Sequence, residues 1–355
     1  MLKWFRANID NYAFSMERLY KIAGITRQGF HQKKQKSEQK ALLYQRLKES
    51  VIAIRKKHPR IGARKLFIIL NLKGEIGINK FEKYLSDQGL GIQVKRSAQK
   101  TTNSNHAWRK YSNLLYGLKL TGVNQVWASD ITYYMIKDNV YYITFIEDLF
   151  SRRILAYSVS DNMLHDNNVK VLKKSMRVRK GCDLSKLIHH SDKGSQYCSI
   201  NYVDILKSNN IKISMAENSI ENPYVERLNG ILKNDYLYPR NKASDLKSLK
   251  RELDIVVKLY NEKRPHSELG NMSPAEFEKQ RRSTGYDKKY ETVLFDFRGH
   301  NEDRFLKALA KRMDNEKLPT RSNPVGNNHS HRSSYSLESC SSAGLSSASL
   351  DNANI

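Results

Sequence analysis

Three β-type runs stand almost back to back in the middle of the chain, and they restrict its architecture more than any other feature. NQVWASDITYYMI, DNVYYITFIEDLF and SRRILAYSVS fill residues 124–160 with only short polar breaks between them. Runs rich in aromatic and β-branched residues, joined by so little chain, must fold back on one another, which predicts an antiparallel meander. A helix is expected over 165–179, then a short strand, LSKLIHHSD, ending at Asp192. NYVDILKSNN reads as a helix and IKISMAE as another short strand. PYVERLNGILKNDYL reads as a helix opening at Pro223, a residue well tolerated in a first turn. LKSLKRELDIVVKLYNEKR is a long amphipathic helix. The order βββαβαβα predicts an α/β fold, a mixed sheet with helices on its faces.

Asp130 interrupts the first apolar run, VWASDITYY. A carboxylate inside such a strand is costly unless it is paired or holds a cation. Asp192 ends a later strand and precedes Lys193 and Gly194, where glycine permits a sharp turn. Glu226 lies near the first turn of a helix. Carboxylates from two strand positions and one helix can converge at a sheet edge, and hard cations such as Mg²⁺ take oxygen ligands of this kind. Two such ions about 3.5–4 Å apart activate an attacking oxygen and stabilise a leaving one on a phosphodiester, with no side-chain nucleophile. In that scheme Asp130 bridges both ions, while Asp192 and Glu226 each complete one site. Singly, each acid is more simply a paired strand Asp, a turn Asp and a surface Glu; the combination in this order carries the reading. Trp127, three positions before Asp130, belongs to the opposite strand face and is expected in the core.

The chain carries 62 Lys and Arg against 36 Asp and Glu, a net charge of +26. Residues 1–120 hold 26 of the basic and only 7 of the acidic side chains, so most of the excess sits in the N-terminal third. Such an excess points to a polyanion partner, because neutralising phosphates releases condensed counterions. Within 15–34, two short helices flank a glycine turn and Thr26 is placed to cap the second. KKQKSEQK follows as a polar linker or helix start, then a basic amphipathic helix over 41–57. A second helical pair spans 63–72 and 78–85, with Lys80 and Lys83 near one face of its second helix, where a recognition helix meets DNA. The predicted division is 1–40 helical or helix-turn-helix segment, 41–98 helix-turn-helix domain, 99–121 basic linker, 122–285 catalytic core, and 286–355 C-terminal extension. The last 35 residues contain 11 Ser and few large apolar side chains, a composition that predicts disorder. Three cysteines form no zinc-finger or disulfide framework, which fits a reducing, cytoplasmic setting. No apolar run approaches the roughly 18–20 residues of a membrane span.

At VWASDITYY, HSDKGSQYCS, ENPYVERLNGILKNDY and YNEKRPHSELGNMSPAEF the sequence resembles the second-frame, OrfB-type transposases of bacterial insertion sequences, whose catalytic domain is related to retroviral integrases. HPRIGARKLF, containing Arg64, resembles the helix-turn-helix segment that precedes their core, and the resemblance covers roughly residues 15–280. It implies a ribonuclease H-like fold behind all-α helix-turn-helix modules and a triad on Asp130, Asp192 and Glu226. It also implies Mg²⁺ or Mn²⁺, and hydrolysis at an element end to free a 3′-OH that attacks a second phosphodiester. The partners it implies are element-end and target DNA, a second copy of the chain at least, and a first-frame OrfA-type protein on the nucleoid. Lys233, seven residues after Glu226 and so on the same α-helical face, is implied as a DNA contact. Asn222, four residues before Glu226, is expected on that face too, and Arg64, Lys80 and Lys83 are expected on DNA. The tail beyond about residue 286 has no counterpart in the family and reads as an out-of-frame or read-through extension. His189 and His190 are expected to be structural, and His266 to be structural or adjacent to DNA. Two other functions fit the same motifs: a DNA-binding regulator with a decayed core, and a ribonuclease H-type nuclease that only hydrolyses.

Overall fold

The computed structural model describes residue 8 and residues 15–92, 109–216 and 221–295. The last 35 residues lie outside them, as does the tail beyond residue 295. Four helices form the N-terminal part: α1 (Met16–Ile22), α2 (Arg27–Lys57), α3 (Ala63–Ile69) and α4 (Ile78–Asp87). Thr26 caps α2 as expected, its Oγ1 accepting from the Gly29 amide at 2.9 Å. α2 then continues unbroken for 31 residues. Of the two readings of KKQKSEQK, linker or helix, it is helix and lies inside α2, because it is made of good helix formers that need no apolar face in solvent. Leu47 and Val51 of α2 pack with Ile61, Leu66, Leu72, Phe81 and Leu85 to give this part its own core.

The predicted meander is present as β2 (Val126–Ile136), β3 (Asn139–Asp148) and β4 (Arg153–Ser160), preceded by a two-residue strand, β1 (Lys119–Leu120). A two-residue turn joins β2 to β3, with Lys137 left-handed at φ 53°. At the next turn the buried Asp148 carboxylate accepts from the amides of Phe150 and Ser151 at 3.1 and 3.0 Å and from Asn124 at 2.7 Å. Helix α5 (His165–Val178) leads to β5 (Ile188–Ser191), α6 (Ser195–Cys198), α7 (Ile200–Ser208) and β6 (Lys212–Met215). The sheet order is β4-β3-β2-β5-β6, with β2 antiparallel to β3 and parallel to β5, and β5 parallel to β6. This is the ribonuclease H-like mixed sheet. On one face Trp127 is fully buried among Val171, Leu172 and Tyr202, as expected.

The other face is covered by α8 (Pro223–Gly230), a π-helical stretch Ile231–Leu237, α9 (Tyr238–Arg240) and α10 (Leu246–Lys263). Leu232, Tyr236 and Leu237 of the π stretch pack against Tyr134 and Ile136 of β2 and Leu253 and Val256 of α10. α11 (Pro274–Thr284) opens with a reciprocal capping box between Ser273 and Glu276. Its Glu278 is buried and bonded to Arg179, Arg153 and Ser151, so every charge in that pocket is paired.

Two predicted boundaries move. β7 (Thr292–Val293) pairs antiparallel with β1, and Leu294 is fully buried beside Leu115, Leu120 and Phe277. The core therefore starts before residue 122 and runs past residue 285, since both flanks supply side chains that it buries. Among the described residues no helix is long and apolar enough to cross a membrane.

Candidate active site

The register of β2 against β5 sets the site. Val126, Trp127 and Ala128 pair with Ile188, His189 and His190, and β5 ends at Ser191. Carried two residues further, the same offset puts Asp130 level with Asp192, just where the two strands part. Parallel neighbours lie about 4.8 Å apart, and the crevice beyond their carboxyl ends is the usual ligand position in such sheets.

Asp130 is half-buried, facing α8. Burial, the Asp192 charge and the Glu226 charge all push its carboxyl well above the usual range, while the Ile131 amide and the Lys233 ammonium oppose them. Lys233 sits on the π stretch with Nζ 5.0 Å from the Tyr133 ring centre. Burial lowers its ammonium, and Asp130 partly restores it. Lys233 thus reaches Asp130 from a π-helical segment, which corrects the expectation of one α-helical face shared with Glu226. Such segments cluster at functional sites because the extra residue re-aims side chains.

Asp192 Oδ1 accepts from the Gly194 amide at 3.0 Å. Gly194 has φ −62°, open to any residue, so the expected special backbone angle is not what requires glycine. A Cβ there would stand 2.9 Å from Asp192 Oδ1 and 3.0 Å from Gln196 Oε1, so the requirement is steric. Glu226 is exposed in the first turn of α8.

Two asparagines tie α8 to β2. Asn229 Nδ2 donates to Asp130 Oδ2 at 2.8 Å, and Asn222 Nδ2 donates to the Ser129 carbonyl at 3.2 Å. Asn222 is only 3% exposed, so the expected DNA contact is corrected: it is a strut between helix and strand. Sequence reasoning missed Asn229, although a buried Asn inside a helix, where it is disfavoured, was a signal. It also missed the string beneath the carboxylates, in which Ser129 Oγ donates to the Phe145 carbonyl at 3.0 Å and lies 2.9 Å from the Tyr197 hydroxyl.

Among the described residues no three His, Cys, Asp or Glu side chains form a ready-made metal cage. The donor set still suits a hydrated divalent cation. The Asp192 and Glu226 charges both press on Asp130, and the Oδ1 atoms of Asn222 and Asn229 are buried acceptors with no partner among the described residues. Mg²⁺ usually takes only one or two carboxylates and keeps several waters, which can donate to acceptors of this kind.

His189 and His190 are bound into the fold, as expected of structural residues. His189 and His190 are buried, bonded to Tyr202 at 2.9 Å and Ser214 at 2.9 Å, and held neutral by burial at about 3 and about 4. Arg64, Lys80 and Lys83 are exposed; Arg64 faces Glu82 at 3.4 Å and Lys83 faces Asp87 at 3.4 Å. Lys80 and Lys83 line a cleft of about 830 Å³ with Lys40, Lys73 and Tyr44.

Two family profiles described as integrase core domain match residues 121–219 and 209–274. The chain is 32% identical over 267 residues to the insertion element IS600 uncharacterized 31 kDa protein of Shigella sonnei, covering 72% of this chain and 96% of that one. It is 27% identical over 273 residues to the transposase InsF for insertion sequence IS3A of Escherichia coli, covering 75% and 94%. Among solved structures, the magnesium complex of the HTLV-2 integrase catalytic core matches at TM-score 0.36 and 20% identity, covering 44% of this chain and 97% of that one.

Proposed function

The chain belongs to the bacterial insertion-sequence transposases with an integrase catalytic core, and from that premise we propose that Asp130, Asp192 and Glu226 are its catalytic triad. It is a DDE-type polynucleotidyl transferase of DNA transposition. What supports the assignment is the common register of Asp130 and Asp192, together with the Glu226 charge acting on the same carboxyl.

Asp130 feels the charge of both other acids and would take the shared position, with Asp192 and Glu226 each completing one side. Two Mg²⁺ or Mn²⁺ ions held there would polarise the scissile phosphate and favour ionisation of the attacking water or 3′-OH. Asn229 holds Asp130 in its rotamer through the 2.8 Å hydrogen bond, and the Gly194 amide holds Asp192. Lys233, beside Asp130, is placed to meet a phosphate that enters the crevice. Arg64, Lys80 and Lys83 supply DNA contacts from the N-terminal helices. Joining two element ends requires at least two protomers, and a first-frame protein is a further partner in this reading.

The test is a purified-protein assay with element-end duplex and Mg²⁺. Nicking at the 3′ end followed by strand joining is the expected result. Specific binding without nicking would favour a decayed regulator, and nicking without joined products a simple nuclease.

A further inference from the structure

Where the N-terminal helices meet the catalytic core, cations outnumber carboxylates. Arg152 and Arg227 both pair with Glu268 at 2.9 Å, and Arg264 pairs with Asp235 at 2.7 Å. Lys65 of α3 approaches the same cluster. The join itself is specific: His58, just after α2, lies 2.8 Å from the Tyr236 hydroxyl, and Arg240 Nη1 lies 3.5 Å from the Lys57 carbonyl. These contacts hold the N-terminal helices against the core, where Lys65 feels the charge of Arg227, the residue next to Glu226 on α8.

Lys65 is the odd member. It is half-buried, yet no hydrogen bond or ion pair holds it among the described residues. Burial and the Arg264 charge hold its ammonium down at about 8. His266 lies beneath, its Nε2 buried without a partner and its ring 4.9 Å from Tyr260. Lys65, Arg264, Arg152 and Arg227 all press on that imidazole. Among the described residues, the four cations face the two paired carboxylates and the buried Glu147, whose carboxyl burial pushes up to about 7, so positive charge remains in excess. Such a surplus, beside a half-buried ammonium without an ion pair, is what an anion site looks like before its ligand arrives.

We propose that Lys65 and Arg227 share one backbone phosphate of the DNA duplex as it passes from the N-terminal helices to the crevice beside Glu226, with Arg264 and His266 forming the floor of the site. Arg227 has the reach: its guanidinium is 67% exposed and can serve Glu268 and a phosphate together. This rests on the transposase reading and adds to it the track that the duplex follows.

The experiment measures binding of a labelled duplex of about 30 base pairs to the full chain across a salt series, for Lys65→Ala, Arg227→Ala and the double variant. Each neutralised phosphate contributes about 0.9 to the slope of log affinity against log salt. Each single variant should lose about one such contribution and bind several-fold more weakly near 0.1 M salt. The double variant should also lose about one, not two, because a single phosphate is shared. An unchanged slope in Lys65→Ala, or two contributions lost in the double variant, overturns the shared site. If Lys65→Ala fails to fold, Lys65→Arg and Lys65→Gln are compared by the same measurement; only the charge-keeping variant should retain the wild-type slope. Nicking activity is scored separately, so active protein with an unchanged slope sinks this site alone, while an inactive chain with the expected slopes sinks only the catalytic assignment.

Discussion

Carried two residues beyond the pairing of Ala128 with His190, the parallel register of β2 and β5 brings Asp130 level with Asp192, the residue after the last of β5. Burial first, and then the repulsion of Asp192, pushes the carboxyl of Asp130 up. In the proposed triad, a cation held between them would relieve that repulsion.

Asp130→Asn keeps the shape and removes the charge. Cleavage of element-end DNA should fall by roughly a thousandfold or more, the scale of several kcal/mol of lost transition-state stabilisation, while duplex affinity stays near wild type. Wild-type turnover by the purified variant would falsify the triad assignment.

Gly194→Ala places a methyl group 2.9 Å from Asp192 Oδ1. The fold should survive, since the φ of −62° suits alanine, but Asp192 must shift. A drop of roughly tenfold to a hundredfold in single-turnover cleavage is expected, with little change in melting temperature. Full activity would show that the position of Asp192 is not critical.

Asn229 donates to the ionised form of Asp130, so Asn229→Ala should raise that carboxyl further. The acid limb of the cleavage pH profile should then move to higher pH, with the rate at alkaline pH much less affected. A profile superimposable on wild type would remove Asn229 from any part in holding Asp130.

Glu147 is 2% exposed, and burial raises it from its ordinary 4.5 to about 7 against the pull of Arg152. The folded state holds the proton more tightly than the unfolded chain, so this contribution is complete below about pH 4.5 and is lost as pH rises through about 7. Glu147→Gln should be more stable than wild type at pH 8, by roughly 1–3 kcal/mol, with the advantage closing as pH falls toward 4.5. Denaturant melts at several pH values read this directly, and a gap that widens on acidification would contradict it.

The meander was legible because its spacing leaves no other way to connect the strands, and the acids were legible because VWASDITYY and HSDKGSQYCS place them at strand positions. The unity of α2 was not, since residues 32–41 carry no apolar period by which to tell a solvated helix from a linker. β1 and β7 were invisible because two-residue strands far apart in the chain leave no local pattern. Asn222 was misread for a related reason: its helical position suggested an open face, but the Ser129 carbonyl that claims it comes from a strand distant in sequence.

The 31 residues of α2 form a rod of roughly 46 Å at the usual helical rise. α1 meets it near Phe30, through Tyr20, whereas the contacts with α3 and α4 begin at Leu43 and Tyr44, the latter stacked on Tyr84. Roughly 20 Å of helix therefore separates the two heads, and helical geometry sets their spacing and their relative facing. Adding one residue to that stretch turns one head by about 100° about the rod, whereas adding seven nearly restores its bearing and lengthens the arm by about 10 Å. The chain carries a molecular calliper whose setting is written in its most featureless segment.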